Sequence, residues 1–196
     1  VKYDYGSRNL WCSALKSKDQ IVEDSLDFVE CMKMRVPKYI RMDSSPENKK
    51  FMQKCEHRHP SITFEFTGKD TPQQNRRIEA MIAVIWNQVR AMLDSVALEG
   101  HNRNKLWADA FNTAVMVDGV VVKEEQDKCE DEKWSSEVPR WVRGLRQFRE
   151  VEVVRKGVKK LKKIDNRGFN AMSIGYRDMH AGGVYKVQTH RFTYTR

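Results

Sequence analysis

The apolar residues of this chain change their spacing at Trp141, and that change constrains its fold more than any other feature. Upstream, helical and extended patterns alternate. Ile21, Val22, Leu26, Val29 and Met32 recur at helical spacing, which predicts an amphipathic helix over residues 18–34. Pro37 ends it, and Tyr39-Ile40-Arg41-Met42 follows as a strand. Ser45-Pro46-Glu47 carries a cap and a first-turn proline, predicting a helix to about residue 57. Residues 62–66 alternate as a strand, and two further helices are predicted over 73–98 and 104–117. Residues 1–4 and 10–15 read as short strands, with Gly6-Ser7 supplying a turn. Downstream of Trp141 the pattern becomes short β runs at 151–155, 172–176, 183–187 and 191–195. The chain is thus expected to hold an α/β domain over 1–122, a charged linker over 123–140 and a small basic β-barrel over 141–196.

Composition narrows the class. Five Trp, eight Phe and 40% apolar residues suit a globular chain rather than a disordered one. No apolar run approaches the roughly 18 residues of a membrane span. The chain opens on Val1 with neither an initiator Met nor a signal-peptide pattern, so it is expected to be processed, truncated or the ordered part of something longer. Cys12, Cys31, Cys55 and Cys129 form no CxxC pair, which points to a reduced intracellular compartment rather than a disulfide framework. Cys55, His57 and His59 offer three metal-ligating side chains without a fourth, and no metal is expected there.

The net charge of +9 is concentrated at one end: residues 141–196 hold 14 Lys/Arg against 4 Asp/Glu, a net +10. Such density is the electrostatic footprint of a phosphate-backbone binder, which is the favoured reading over a surface facing an acidic protein. Lys156, Lys159, Lys160, Lys162, Lys163 and Arg167 are the candidate phosphate contacts. They would position a nucleic acid without reading its sequence.

A set of motifs spread over most of the chain resembles the integrases of copia-type retrotransposons. Thirty-five residues lie between Asp43 and Glu79, and Thr71-Pro72-Gln73-Gln74-Asn75 stands just before the glutamate. Asp4-Tyr5-Gly6-Ser7-Arg8, Trp11 and Leu15-Lys16-Ser17-Lys18-Asp19 are similar to that family's strand entry. Arg41-Met42-Asp43-Ser44-Ser45-Pro46-Glu47 resembles its second catalytic segment without the glycines. Arg90-Ala91-Met92-Leu93 and Leu106-Trp107-Ala108-Asp109-Ala110, with Asn112-Thr113-Ala114, resemble its next two helices. Ile174-Gly175-Tyr176, His180-Ala181-Gly182-Gly183-Val184-Tyr185 and Thr195-Arg196 resemble the small domain that follows.

The resemblance implies an RNase H-like integrase core, a mixed sheet flanked by helices, followed by an SH3-like barrel. In active members three carboxylates hold two Mg²⁺ ions about 4 Å apart. Asp43 and Glu79 match two of them. The third belongs to a first strand upstream of Val1, central in the family's sheet, so either another segment or another polypeptide is expected to complete that sheet, or the sheet is expected to be rebuilt. The helix after Glu79 also departs from the family. Polar positions that face metal and DNA there are Ala80, Ile82 and Ala83 here, inside seven consecutive apolar residues from Ala80 to Trp86.

A helix apolar all round is expected to be buried or packed on a partner, with Ile82, Ile85 and Trp86 as its interface. Glu79 in such surroundings would be desolvated and its pKa raised unless paired. Asp43 and Glu79 therefore read as vestigial carboxylates, held by hydrogen bonds or by a base such as Arg41 or Arg76. The expectation is a pseudoenzyme with no cofactor: an integrase-derived, nucleic-acid-binding structural subunit of a ribonucleoprotein, with RNA favoured over DNA. An organellar (mitochondrial) ribosome is one such assembly. Two alternatives stay open. One is a fragment of an active integrase using Mg²⁺ through Asp43 and Glu79, and the other is a scaffold that binds only protein.

Overall fold

The computed structural model describes residues 1–32, 35–68, 75–95, 100–155, 167–176, 185–189 and 193–195. The chain divides into two compact units, one of Ser13–Ile82 and one of Val1–Cys12 with Ala83–Arg196. These boundaries do not coincide with those expected at 122/123 and 140/141.

In the Ser13–Ile82 unit, α1 (Gln20–Cys31), β3 (Tyr39–Met42), α2 (Pro46–Arg58) and β4 (Thr63–Phe66) form one layer of helices on a two-stranded sheet. The crossover through α2 makes the strands parallel, paired from Tyr39↔Thr63 to Met42↔Phe66. Alternation sorts the side chains. Ile40, Met42 and Phe64 pack on a core of Val22, Leu26 and Val29 from α1, Phe51 and Cys55 from α2, and Ile62. Tyr39, Arg41, Thr63 and Glu65 lie exposed on the opposite face. Phe51 and Phe64 meet edge to face, centroids 5.8 Å apart. Lys54–Glu23 and Arg58–Glu30 link the two helices at the surface, where such pairs contribute little.

The second unit begins with a hairpin, β1 (Lys2–Tyr3) against β2 (Leu10–Trp11). Asp4 closes its turn by accepting hydrogen bonds from the Ser7 N–H (2.6 Å) and hydroxyl (2.7 Å). Next come the later turns of α3 (Arg76–Ser95), then α4 (Gly100–Val120), a short α5 (Glu130–Ser135) and a 3₁₀ turn at Arg140–Gly144. Strands β5 (Val151–Arg155), β6 (Gly168–Tyr176), β7 (Tyr185–Gln188) and β8 (Thr193–Thr195) form an antiparallel meander. Ile85, Val89 and Leu93 from α3, five α4 residues including Ala110 and Ala114, Leu10, Phe148 and Ile174 make its core.

Two small buried alanines one turn apart let α4 approach β6 closely. There the strand bulges between Ser173 and Gly175, and Gly175 takes φ +148°. Its missing Cβ is what leaves room for Thr113, whose Oγ1 would lie 3.0 Å from it.

Several expectations change here. Among the described residues the strands form three separate sheets rather than one mixed sheet, and β5 and β8 are unpaired with each other, leaving the meander open. Residues 123–140 are not a plain linker. Cys129 and Glu130 are buried, and Asn9 donates to Asp131 at 2.7 Å, so part of this segment packs into the unit while most of its charges stay in solvent. No helix of the described residues is long and apolar enough to cross a membrane.

Candidate functional site

Asp43 sits immediately after β3 and before α2, and its carboxylate is occupied by the start of that helix. Oδ1 accepts from the Ser45 N–H at 3.0 Å and from the Asn48 amide at 2.7 Å. Ser45 in turn caps α2, its hydroxyl accepting from the Asn48 N–H at 3.4 Å. Hydrogen bonds from the Ser45 side chain and backbone, with a lesser one from Asn48, hold the Asp43 carboxyl below its ordinary range against the opposing effect of desolvation. The expected partner Arg41 is engaged elsewhere, donating to Glu65 at 3.0 and 3.1 Å across the β3–β4 pair. Asp43 thus has a structural task in this fold, anchoring the β3–α2 turn.

This arrangement makes a direct prediction. Asn retains an acceptor in place of Oδ1, so Asp43→Asn should change stability by less than about 0.5 kcal/mol, while Asp43→Ala should cost about 1 kcal/mol. Urea denaturation of the three proteins reads the difference.

Glu79 occupies the first turn of α3, where a carboxylate complements the helix N-terminus, and it is exposed. Its expected desolvation does not occur. Nor is the Ala80–Trp86 run apolar on a wholly buried helix: Ala80, Ala83, Val84 and Trp86 are exposed, and Met81 and Ile82 are half-buried. Only the row Ile85, Val89, Leu93, spaced by four, turns fully inward. Small alanines on the outer side are cheap to leave in water, which is why a continuous apolar run can still have a solvent face. Of the three residues expected at a partner interface, Ile85 is consumed by the chain's own core, while Trp86 and part of Ile82 reach the surface.

Among the described residues no group of three or more His, Cys, Asp or Glu side chains could hold a metal ion. Cys55 is buried and His57 exposed, as two-residue spacing on a helix requires. Thr71–Gln74 and the five lysines Lys156, Lys159, Lys160, Lys162 and Lys163 lie outside the described residues. Arg167 is exposed at the entry to β6.

The aromatic residues near this basic segment are committed to structure. Trp141 stacks on Tyr176 at 4.5 Å, and the Tyr176 hydroxyl accepts from the Arg146 N–H (2.6 Å) while donating to its carbonyl (2.9 Å). The Tyr185 hydroxyl donates to the Gly144 carbonyl at 2.8 Å. These bonds strap the 3₁₀ turn onto the sheet.

Sequence reasoning missed two features. The first is a buried charge cluster: the Lys123 ammonium bridges Asp118 (2.9 Å) and Glu130 (2.8 Å), and the Gln88 amide donates to Asp118 at 3.3 Å. Burial raises the Glu130 pKa, opposed by the hydrogen bond and charge of Lys123. Burial pulls Lys123 down, but its bonds to Asp118 and Glu130 outweigh this and hold it above its usual value. The signal in the sequence was only an acidic stretch without periodicity.

The second is an aromatic pair on α3 and α4. Trp86 and Trp107 stack with centroids 5.9 Å apart and 26° between planes, and Trp86 meets the buried Phe111 edge-on at 5.1 Å. Both indoles stay accessible, 36% and 43% exposed. Helical spacing places Trp107 and Phe111 on one face of α4, but that Trp86 lies opposite them is a tertiary fact.

Comparison with known proteins adds a relationship. No family profile matches the chain. Over 116 residues, 57% of this chain, it is 34% identical to the Retrovirus-related Pol polyprotein from transposon TNT 1-94 of Nicotiana tabacum, of which the match spans 8%. A chain in the cryo-electron-microscopy structure of the simian T-cell lymphotropic virus intasome in complex with PP2A regulatory subunit B56 gamma aligns over 93% of this chain and 63% of its own. That alignment has 14% identity and a TM-score of 0.45. The chain is thus similar in sequence to a small part of a retrotransposon Pol polyprotein.

Proposed function

We propose that this chain is an integrase-derived, nucleic-acid-binding subunit that works without strand-transfer chemistry, within a larger ribonucleoprotein. The observation that carries the reading is the Asp43 carboxylate, whose Oδ1 is spent on Ser45 and Asn48 at the start of α2. Similarity to a Pol polyprotein segment supports the integrase ancestry, together with the Asp43–Glu79 spacing. The net +10 over residues 141–196 supports binding to a polyanion. On this reading the core is RNase H-like, and the C-terminal meander belongs to an SH3-like barrel.

Salt dependence tests the binding half. Each phosphate neutralised contributes about 0.9 to the slope of log affinity against log salt for duplex DNA and about 0.7 for single strands. Replacing Lys159, Lys160, Lys162 and Lys163 by Gln should therefore flatten the slope on single-stranded RNA by roughly 2 to 3 units. An unchanged slope would remove these lysines from the interface.

The catalytic half is tested by Mg²⁺-dependent strand transfer on the longest natural form of the protein. No activity is expected in wild type, and activity abolished by Asp43→Asn would overturn the proposal. That second reading, an active integrase fragment, is favoured by one observation: Asp43 and Glu79 are both exposed to solvent.

A further inference from the structure

We propose that the stacked Trp86–Trp107 pair is a second contact surface for single-stranded nucleic acid, on which an unpaired base stacks. This rests on the nucleic-acid reading above and places a contact outside the basic C-terminal segment.

Two indoles left 36% and 43% exposed are a large apolar area to keep in water. The pair is held in place: Trp86 is fixed edge-on by Phe111, which is 7% exposed, and Trp107 lies nearly parallel to Trp86. An aromatic face presented by a rigid helix pair suits a flat π partner, because little side-chain freedom remains to be lost on binding.

Two arginines flank the pair. Arg90 follows Trp86 by four residues and Arg103 precedes Trp107 by four, so each guanidinium stands one turn from an indole on the same helix face. Arg103 is ion-paired with Asp94, which leaves Arg90 as the charge beside the indoles for a phosphate. A flat π surface and negative charge occur together in a nucleic acid whose bases are unpaired, whereas a duplex hides its base faces. An apolar protein partner would satisfy the indoles but not Arg90.

The test uses the full chain with three oligonucleotides of equal length and charge: oligo-U, oligo-dT and an abasic strand. Wild type is expected to bind at least one base-bearing strand about 5- to 100-fold more tightly than the abasic one. The ratio of oligo-U to oligo-dT separates RNA from DNA. Trp107→Ala should abolish the base-dependent gain and leave abasic binding unchanged, and Trp107→Tyr should retain most of it. Circular dichroism on both variants confirms that the exposed position tolerates the change. Equal binding of base-bearing and abasic strands by wild type, or a gain that survives Trp107→Ala, would overturn the platform while leaving the lysine contacts standing. Failure of all three strands to bind would overturn the nucleic-acid reading itself and the platform with it.

Discussion

Lys123→Met should destabilise the protein by about 3 kcal/mol or more, the scale expected when one partner of a buried ion pair is removed. The methionine fills similar volume, so the loss isolates the charge. Glu130 is 1% exposed and Asp118 5%, and Lys123 is the cation bonded to both. Without it two buried carboxylates are left beside the partly exposed position that Lys123 occupied, and their repulsion is only partly screened. Glu130 Oε2 and Gln88 Oε1 already lack hydrogen-bond partners, so the site has no spare donor to offer. The double variant Lys123→Met/Glu130→Gln should recover a substantial part of the loss, because the remaining carboxylate is then alone. Chemical denaturation of both variants measures this, and a loss near zero for Lys123→Met would show the cluster to be solvated.

The same cluster fixes a pH dependence. Glu130 has a folded pKa above its unfolded value of 4.5, so between the two values the folded state binds more protons. Its contribution is therefore most favourable below 4.5, and stability falls as pH rises through the window up to the folded value. Lys123 acts in the other range: its stabilisation is complete below 10.5 and is lost as pH rises through its higher folded pKa. Lys123→Met should deepen the acid-side effect, since the carboxylates then depend on protons alone for neutralisation. Glu130→Gln should remove it.

Gly144→Ala is the second large effect. A Cβ at this position would lie 2.2 Å from the Tyr185 hydroxyl oxygen, well inside van der Waals contact. The tyrosine ring cannot simply swing away. Its hydroxyl is bonded to the Gly144 carbonyl, its ring lies 5.8 Å from Tyr176, and Tyr176 is stacked against Trp141. The methyl must therefore displace either the strap or the aromatic row, at a cost of about 2–3 kcal/mol, typical of overpacking a filled site. Tyr185→Phe separates the two components. It loses only the hydroxyl's bond and should cost about 1 kcal/mol. Combined with Gly144→Ala it should relieve part of the clash. Thermal melts of the three proteins decide this, and a Gly144→Ala change no larger than that of Tyr185→Phe would show the strap to be pliable.

Most element positions were legible from local chemistry. Ser45-Pro46 marks the start of α2 in sequence and caps it in the structure, and β3 and β5 begin and end as alternation and flanking residues predict. Helix α3 starts at Arg76 and ends at Ser95, inside the span its periodicity suggested. These are properties of neighbours in sequence: capping, proline geometry and the 3.6- and 2-residue periods. Candidate site residues were legible as identities but not as environments. Asp43 could be named from its spacing to Glu79, whereas its engagement by Ser45 and Asn48 depends on how the chain turns after β3. Ile85 and Trp86 looked equivalent in an unbroken apolar run, yet one is fully buried and the other reaches solvent.

Local sequence was enough for the order and type of most elements, for the concentration of positive charge after residue 140 and for the similarity to a Pol polyprotein segment. Which charges and rings meet follows from long-range packing instead. Lys123 finds Asp118 and Glu130, Trp86 finds Trp107, and the segment read as a linker becomes part of a core. The physical reason is range. Periodicity and capping act over about four residues along the chain. Burial and ion pairing depend on approach between segments far apart in sequence, such as the 30 residues that separate Gln88 from Asp118.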